Sequence, residues 1–199
     1  MEIGKTLYIT KRSKWRAWLS KHHATAPDIW LIFYKVSSGK PRISYDDAVL
    51  EALCFGWIDS IVKKADDDSF VQRFSPRKST SVLSQMNIER IRELIKEKKM
   101  TPAGLTAISH TFDPKAPPPK FETPPKILSV IRKNPAAWKN FQNLPVSYKR
   151  IRIAYIESRK RHSTGMYLRA LAHFIRATAR GRRLGSFPSS PKRSKIKLT

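Results

Sequence analysis

Ser44-Tyr45-Asp46-Asp47-Ala48-Val49-Leu50-Glu51-Ala52-Leu53-Cys54-Phe55-Gly56-Trp57-Ile58-Asp59 decides the fold class. A serine with an acidic residue three positions on resembles a capping box, with Asp47 in place of the usual Glu, and sets a helix start. Ala48, Ala52 and Phe55, with Val49 and Leu53, form the apolar stripe of that helix. Gly56 is placed to end it in the left-handed conformation that a glycine adopts without steric cost. The next residues alternate as a strand does: Trp57, Asp59 and Ile61 on one face, Ile58, Ser60 and Val62 on the other. A second strand runs from Ser69 to Ser75, reached through Asp66-Asp67-Asp68 and stopped by Pro76. A helix that turns straight into a hairpin predicts a mixed helix-and-sheet domain.

Upstream, Thr6 to Ile9 reads as a short strand. A helix follows, capped by Thr10 or Ser13, with Trp15, Trp18, Leu19 and His22 along one face. Ile29 to Tyr34 is continuously apolar and predicts a strand covered on both faces. Downstream, Ser81 or Ser84 caps a helix bearing Asn87, Ile91, Leu94 and Ile95, and Thr101-Pro102 opens another. Residues 109–126 hold Pro114, Pro117-Pro118-Pro119 and Pro124-Pro125, the composition of a stiff linker. Beyond it helices are predicted near 127–141, 146–160 and 164–180. The fold class is therefore α+β: a small antiparallel or mixed sheet with packed helices over 1–108, then a linker, then a mainly helical basic region over 127–185. The basic tail, 186–199, has the composition of a disordered segment.

Charge divides the chain as well. Forty Lys and Arg against fifteen Asp and Glu give +25. Residues 1–122 carry 21 basic and 14 acidic side chains, whereas 123–199 carry 19 basic and one acidic, Glu157. The second part suits nucleic acid or another polyanion. Its candidate contacts are Arg159, Lys160, Arg161, Arg169, Arg180, Arg182, Arg183, Lys192 and Arg193, with Tyr148, Tyr155 and Tyr167 interleaved. Those tyrosines either stack on bases or pack a three-helix core. The same charges also fit a solvated face adapted for solubility.

The lone Cys54 has no disulfide partner and sits in an apolar run, which fits a reducing, cytoplasmic setting. No apolar stretch is long enough to span a membrane or to serve as a signal peptide core. His22, His23, His110, His162 and His173 lack zinc-ligand spacing, and there is no glycine-rich phosphate loop or G-x-S-x-G elbow. No metal, cofactor or catalytic residue is therefore assigned.

The candidate ligand site gathers Trp57, Asp59, Arg73, Arg77, Ser84 and Asn87. Asp59 is flanked on its own strand face by apolar residues, and a covered carboxylate there needs a partner. Pivoting the hairpin about Asp67 sets Asp59 opposite Ser75, with Arg73 and Arg77 diagonal to it. A one-residue slip puts Phe74 or Pro76 there instead, and the loop length leaves the register open. An acid beside two forked cations can orient a small polar or anionic ligand. It can equally be a structural Asp–Arg pair that fixes the hairpin on the core.

The phrase Ala52 to Asp59, then Pro76-Arg77, Ser81, Ser84 and Asn87, and then Met100-Thr101-Pro102-Ala103-Gly104-Leu105, resembles the YdeI/OmpD-associated family, often labelled bacteriocin-protection. The resemblance spans about residues 8–183 and is most specific over 48–105. Leu83 stands where the family often has Trp. In its C-terminal phrase Lys160 and Thr164 match, while Gly165 and Leu168 replace arginines. The resemblance implies a role in protection from bacteriocins or antimicrobial peptides, but a +25 chain repels cationic peptides, so any protection would be indirect. Three readings follow: a non-enzymatic binding module at the Trp57/Asp59/Arg77 region, a nucleic-acid-associated basic protein, and an enzyme using Asp59 as general base with Arg73 or Arg77 as electrostatic clamp.

Overall fold

Helix and strand chemistry sort into two compact units, Met1–Ala116 and Pro117–Thr199, in the computed structural model. It describes residues 2–185. The predicted tail, with Lys192 and Arg193, lies outside the described residues.

In the first unit Thr6–Tyr8 (β1) runs parallel to Ile29–Tyr34 (β2), with Arg12–His22 (α1) between them in sequence. Tyr45–Cys54 (α2) leads into the hairpin of Trp57–Lys64 (β3) and Ser69–Pro76 (β4), and β4 pairs antiparallel with β2. The mixed sheet has the order β1-β2-β4-β3. Gln85–Lys96 (α3) and Pro102–Ile108 (α4) complete the unit. Ile29, Leu31 and Phe33 of β2 and Phe74 of β4 join Trp15 and Leu19 of α1 in the buried core. Trp30, on the opposite face of β2, is also buried. The α1 start differs from expectation: its N-cap is Lys11, with no side-chain cap. Ser44 and Ser84 do cap α2 and α3, accepting from the N–H groups of Asp47 and Asn87.

The hairpin register, left open by the loop length, is set by a local cause. The pivot about Asp67 holds near the turn, where Lys64 faces Phe70 and Val62 faces Gln72. A bulge between Asp59 and Val62 then adds one residue to β3, so Asp59 faces Phe74 rather than Ser75, and Ile58 faces Ser75.

The second unit is helical: Pro125–Arg132 (α5), Pro135–Gln142 (α6), Val146–Ser158 (α7), a 3-10 turn at Arg159–Arg161, and Thr164–Ala179 (α8). The single helix expected near 127–141 is two helices. Asn134 caps the second by accepting from Ala137 N–H, and Pro135 supplies its first turn. Ile127, Ile131, Phe141, Ile156 and Phe174 form the core together with Tyr148, whose hydroxyl accepts from Leu184 N–H at 2.8 Å. Among the described residues no helix is long and apolar enough to cross a membrane.

Candidate functional site

The site begins with a backbone junction. Gly56 takes φ +74° after α2, a conformation that side chains resist. A Cβ added there would lie 2.4 Å from the Ala107 methyl, and one added at Gly104 would lie 2.1 Å from the Cys54 carbonyl oxygen. Thr101 closes the junction: its hydroxyl donates to that same Cys54 carbonyl at 2.6 Å and accepts from Gly104 N–H at 3.2 Å. The two most distinctive phrases of the chain, Ala52 to Asp59 and Met100 to Leu105, are thus two halves of one clasp. Arg77 joins it through its backbone, donating from N–H to the Gly56 carbonyl at 2.9 Å.

The clasp fixes where the candidate residues go. Trp57 is buried in the core, edge-on to Trp18, and its indole N–H donates to the His23 carbonyl at 3.1 Å. It supports the site from behind rather than lining it. Asp59, half-buried, accepts from the Tyr45 hydroxyl at 2.5 Å. Burial first, and then this hydrogen bond, hold the Tyr45 phenol well above its usual value, so it stays a donor at neutral pH. Arg73 does not join Asp59. Its Nε and Nη2 both donate to Asp28 Oδ2, at 2.9 and 2.7 Å. Asp28 lies 45 residues upstream of Arg73, and their proximity follows from β2 lying between β1 and β4.

Arg77 is different. It is 8 % exposed. Its Nη1 has the Val82 carbonyl at 3.5 Å, a long contact, while Nε and Nη2 are buried with no acceptor among the described residues. Desolvation lowers its pKa, and the charge of Asp59 opposes that shift without a hydrogen bond between them. Ser84 is spent as the α3 cap. Asn87 Oδ1 accepts from Arg90 Nη1 at 3.3 Å, and Arg90 Nη2 donates to Asp46 Oδ1 at 2.6 Å. Asp59 thus lies within electrostatic reach of Arg77, and Asn87 is linked through Arg90 to Asp46 of α2. The structure adds Tyr45, Asp46 and Arg90, which the sequence reading missed. Tyr45 and Asp46 stand in the first turn of the capped helix, directly after Ser44, and that position was the available signal.

A second buried cluster also went unread. Glu51, in α2 and 3 % exposed, accepts from Arg12 Nε and from Arg16 Nη1, the latter at 2.7 Å. Arg16 also donates to the Lys99 carbonyl at 3.0 Å. Arg12 Nε and Nη1 and Arg16 Nη1 and Nη2 all have acceptors, and the cluster staples α1 to α2. Beside it, burial pushes the Cys54 thiol up, which keeps it a protonated core group.

In the second unit the candidate basic residues do not gather at one place. Arg159, Lys160, Arg161 and Arg169 lie around the α7–α8 turn, whereas Arg180, Arg182 and Arg183 follow the other end of α8. That helix has 16 residues, a length of roughly 24 Å at 1.5 Å per residue. Lys160 pairs with Glu157 at 2.5 Å. Arg161, Arg169, Arg180, Arg182 and Arg183 are exposed. Tyr148 belongs to the core, while Tyr155 is 45 % exposed under the Arg159 guanidinium, 4.3 Å from the ring centre. A cleft of about 140 Å³ opens between Tyr155, Ile156, His173, Phe174 and Leu184. That is below the roughly 300 Å³ at which ligand pockets begin.

Two family matches cover the chain. Residues 7–107 match a domain of unknown function (DUF8412), and residues 120–183 match the family described as "Bacteriocin-protection, YdeI or OmpD-Associated". No curated protein and no solved structure matches the chain. The YdeI/OmpD-associated likeness thus falls on the helical second unit, Gly165 and Leu168 included, while the clasp and the Asp59/Arg77 cluster lie within the other match. The chain belongs to the DUF8412 family, whose model matches residues 7–107, and its residues 120–183 are similar to the YdeI/OmpD-associated, bacteriocin-protection family.

Proposed function

We propose that the first unit is a binding module without chemistry of its own, holding a small polar ligand at the Tyr45/Asp59/Arg77 cluster. One observation carries the reading. A buried guanidinium with two unmet donors costs about 1–3 kcal/mol per group, and a ligand that fills them recovers that cost. Tyr45 orients Asp59 beside it, and the clasp holds the Arg77 backbone in place. The test is a screen of small polar compounds against the full chain by backbone amide shifts. Ligands of the module should move residues 45, 59 and 77–84 in the wild type and not in Arg77→Met. Compounds that bind both forms alike would remove the site.

A second reading assigns the exposed arginines of the second unit to a polyanion such as nucleic acid. Its support is the charge balance after residue 122, 19 basic to one acidic, together with the half-exposed Tyr155. Labelled single- and double-stranded nucleic acid, titrated across a salt series, checks it. Log K should fall by about 0.9 per phosphate neutralised for each decade of salt, and flat or absent binding would make +25 a solubility feature. Either reading leaves protection indirect, because the chain's own charge opposes capture of cationic peptides.

A further inference from the structure

We infer that the group received at Arg77 is an oxyanion, a carboxylate or a phosphate, seated on the Nε/Nη2 edge of the guanidinium; this rests on the binding-module reading above. Those two nitrogens form the side-on fork of arginine, whose parallel N–H bonds match a pair of carboxylate or phosphate oxygens. The same molecule shows that fork filled. Four residues earlier, Arg73 closes Nε and Nη2 on a single carboxylate oxygen, Asp28 Oδ2. On Arg77 the equivalent pair is buried and unmet, and the remaining nitrogen reaches only the Val82 carbonyl at 3.5 Å.

Nearby groups do not supply the acceptor. Asp59 is close enough for its charge to act on Arg77, but the hydrogen bond it makes is with Tyr45. Asp46 is taken by Arg90. Neutral acceptors fit the site less well, because they leave the charge of a desolvated guanidinium uncompensated. Asp59 sets a sign on the proposal. As a like charge beside the incoming anion it opposes binding, so its removal should tighten the site.

The test follows the Nε–Hε resonance of Arg77 in the full chain, identified by its loss in Arg77→Lys. Acetate, inorganic phosphate, acetamide and methylamine are titrated at constant ionic strength, so that the second unit's charge is screened equally throughout. The expected result is a saturable shift with acetate or phosphate, whichever binds naming the source of the oxyanion. Affinity should be at least about tenfold weaker in Arg77→Lys, which lacks the fork, and tighter in Asp59→Asn. Should Arg77→Lys fail to fold, the wild-type titration and the direction of the Asp59→Asn change decide the matter. Acetate or phosphate binding equally to Arg77→Lys, or weakening in Asp59→Asn, would overturn the inference. Shifts at Tyr45 and Asp59 with acetamide or methylamine alone would overturn it while leaving a ligand site. Silence with all four probes would remove both.

Discussion

The two units carry excess positive charge and settle it by different means. In the first, arginines meet carboxylates: Arg12 and Arg16 share Glu51, Arg73 takes Asp28, Arg90 takes Asp46 and Arg92 takes Glu89. In the second, acidic partners are nearly absent, and arginines lean on carbonyls and rings. Arg152 donates to the Leu184 carbonyl and lies over Tyr148, Arg150 donates to the Pro119 carbonyl, and Arg132 and Arg159 cover Trp138 and Tyr155. A carboxylate-paired arginine is neutralised and localised, whereas one held by a carbonyl or ring keeps its full charge. An unmet fork therefore stands out in the first unit as a departure from its own pattern. In the second, positive charge is a property of the whole surface.

The sharpest way to break this contrast is Glu51→Ala, which strands two arginines against a buried helix face. Arg12 and Arg16 retain 32 and 38 % side-chain exposure, so the loss should sit near the lower end for a broken buried pair, about 3 kcal/mol by urea denaturation. A loss below about 1 kcal/mol would mean that solvent already carries both arginines. Next come the two forks. Arg73→Met leaves Asp28 without its partner and should cost about 1–2 kcal/mol. Arg77→Met discards unmet donors and should leave stability unchanged or raise it. Equal losses would make Arg77 a structural residue and end the site proposal. Glu157→Gln removes the sole acidic side chain after residue 122, yet its pair with Lys160 is exposed and should be worth at most about 0.5 kcal/mol. The smallest effect is alkaline. A tyrosine whose folded pKa lies above its unfolded value, about 10, lends stability that is complete below that pH and declines as pH rises past it. Spectroscopic titration of the native chain should show one late-ionising phenol that is missing in Tyr45→Phe.

What could be read in the sequence was local. Ser44 with Asp47, the left-handed Gly56, and Thr101 with Pro102 act within one turn of themselves, and each stands where the residue types placed it. The break at Asn134-Pro135 is equally local, but the apolar spacing continues across it and masks it. The rest depends on contacts that no window contains. Arg73 finds Asp28 because the intervening chain folds into the sheet, and Glu51 finds two arginines 35 and 39 residues earlier. The Asp59 register was hidden for a third reason: a bulge shifts the pairing by one residue without a glycine to announce it. The site was half-legible in consequence. Asp59 and Arg77 lie beside the clasp, but the residues that make Arg77 singular became visible only once Arg73 was seen to be occupied.

That bulge also protects the molecule from its neighbours. β3 is an outer strand of the sheet, and a straight outer strand offers unpaired amides to any other copy. The extra residue bends this edge midway, at Ser60 and Ile61, and a lysine, Lys63, follows on the same strand, which discourages pairing with a second identical edge. The opposite edge, β1, offers only three residues. Deleting Ser60 would remove the extra residue and straighten the outer strand, and the deletion should associate more readily than the wild type by light scattering.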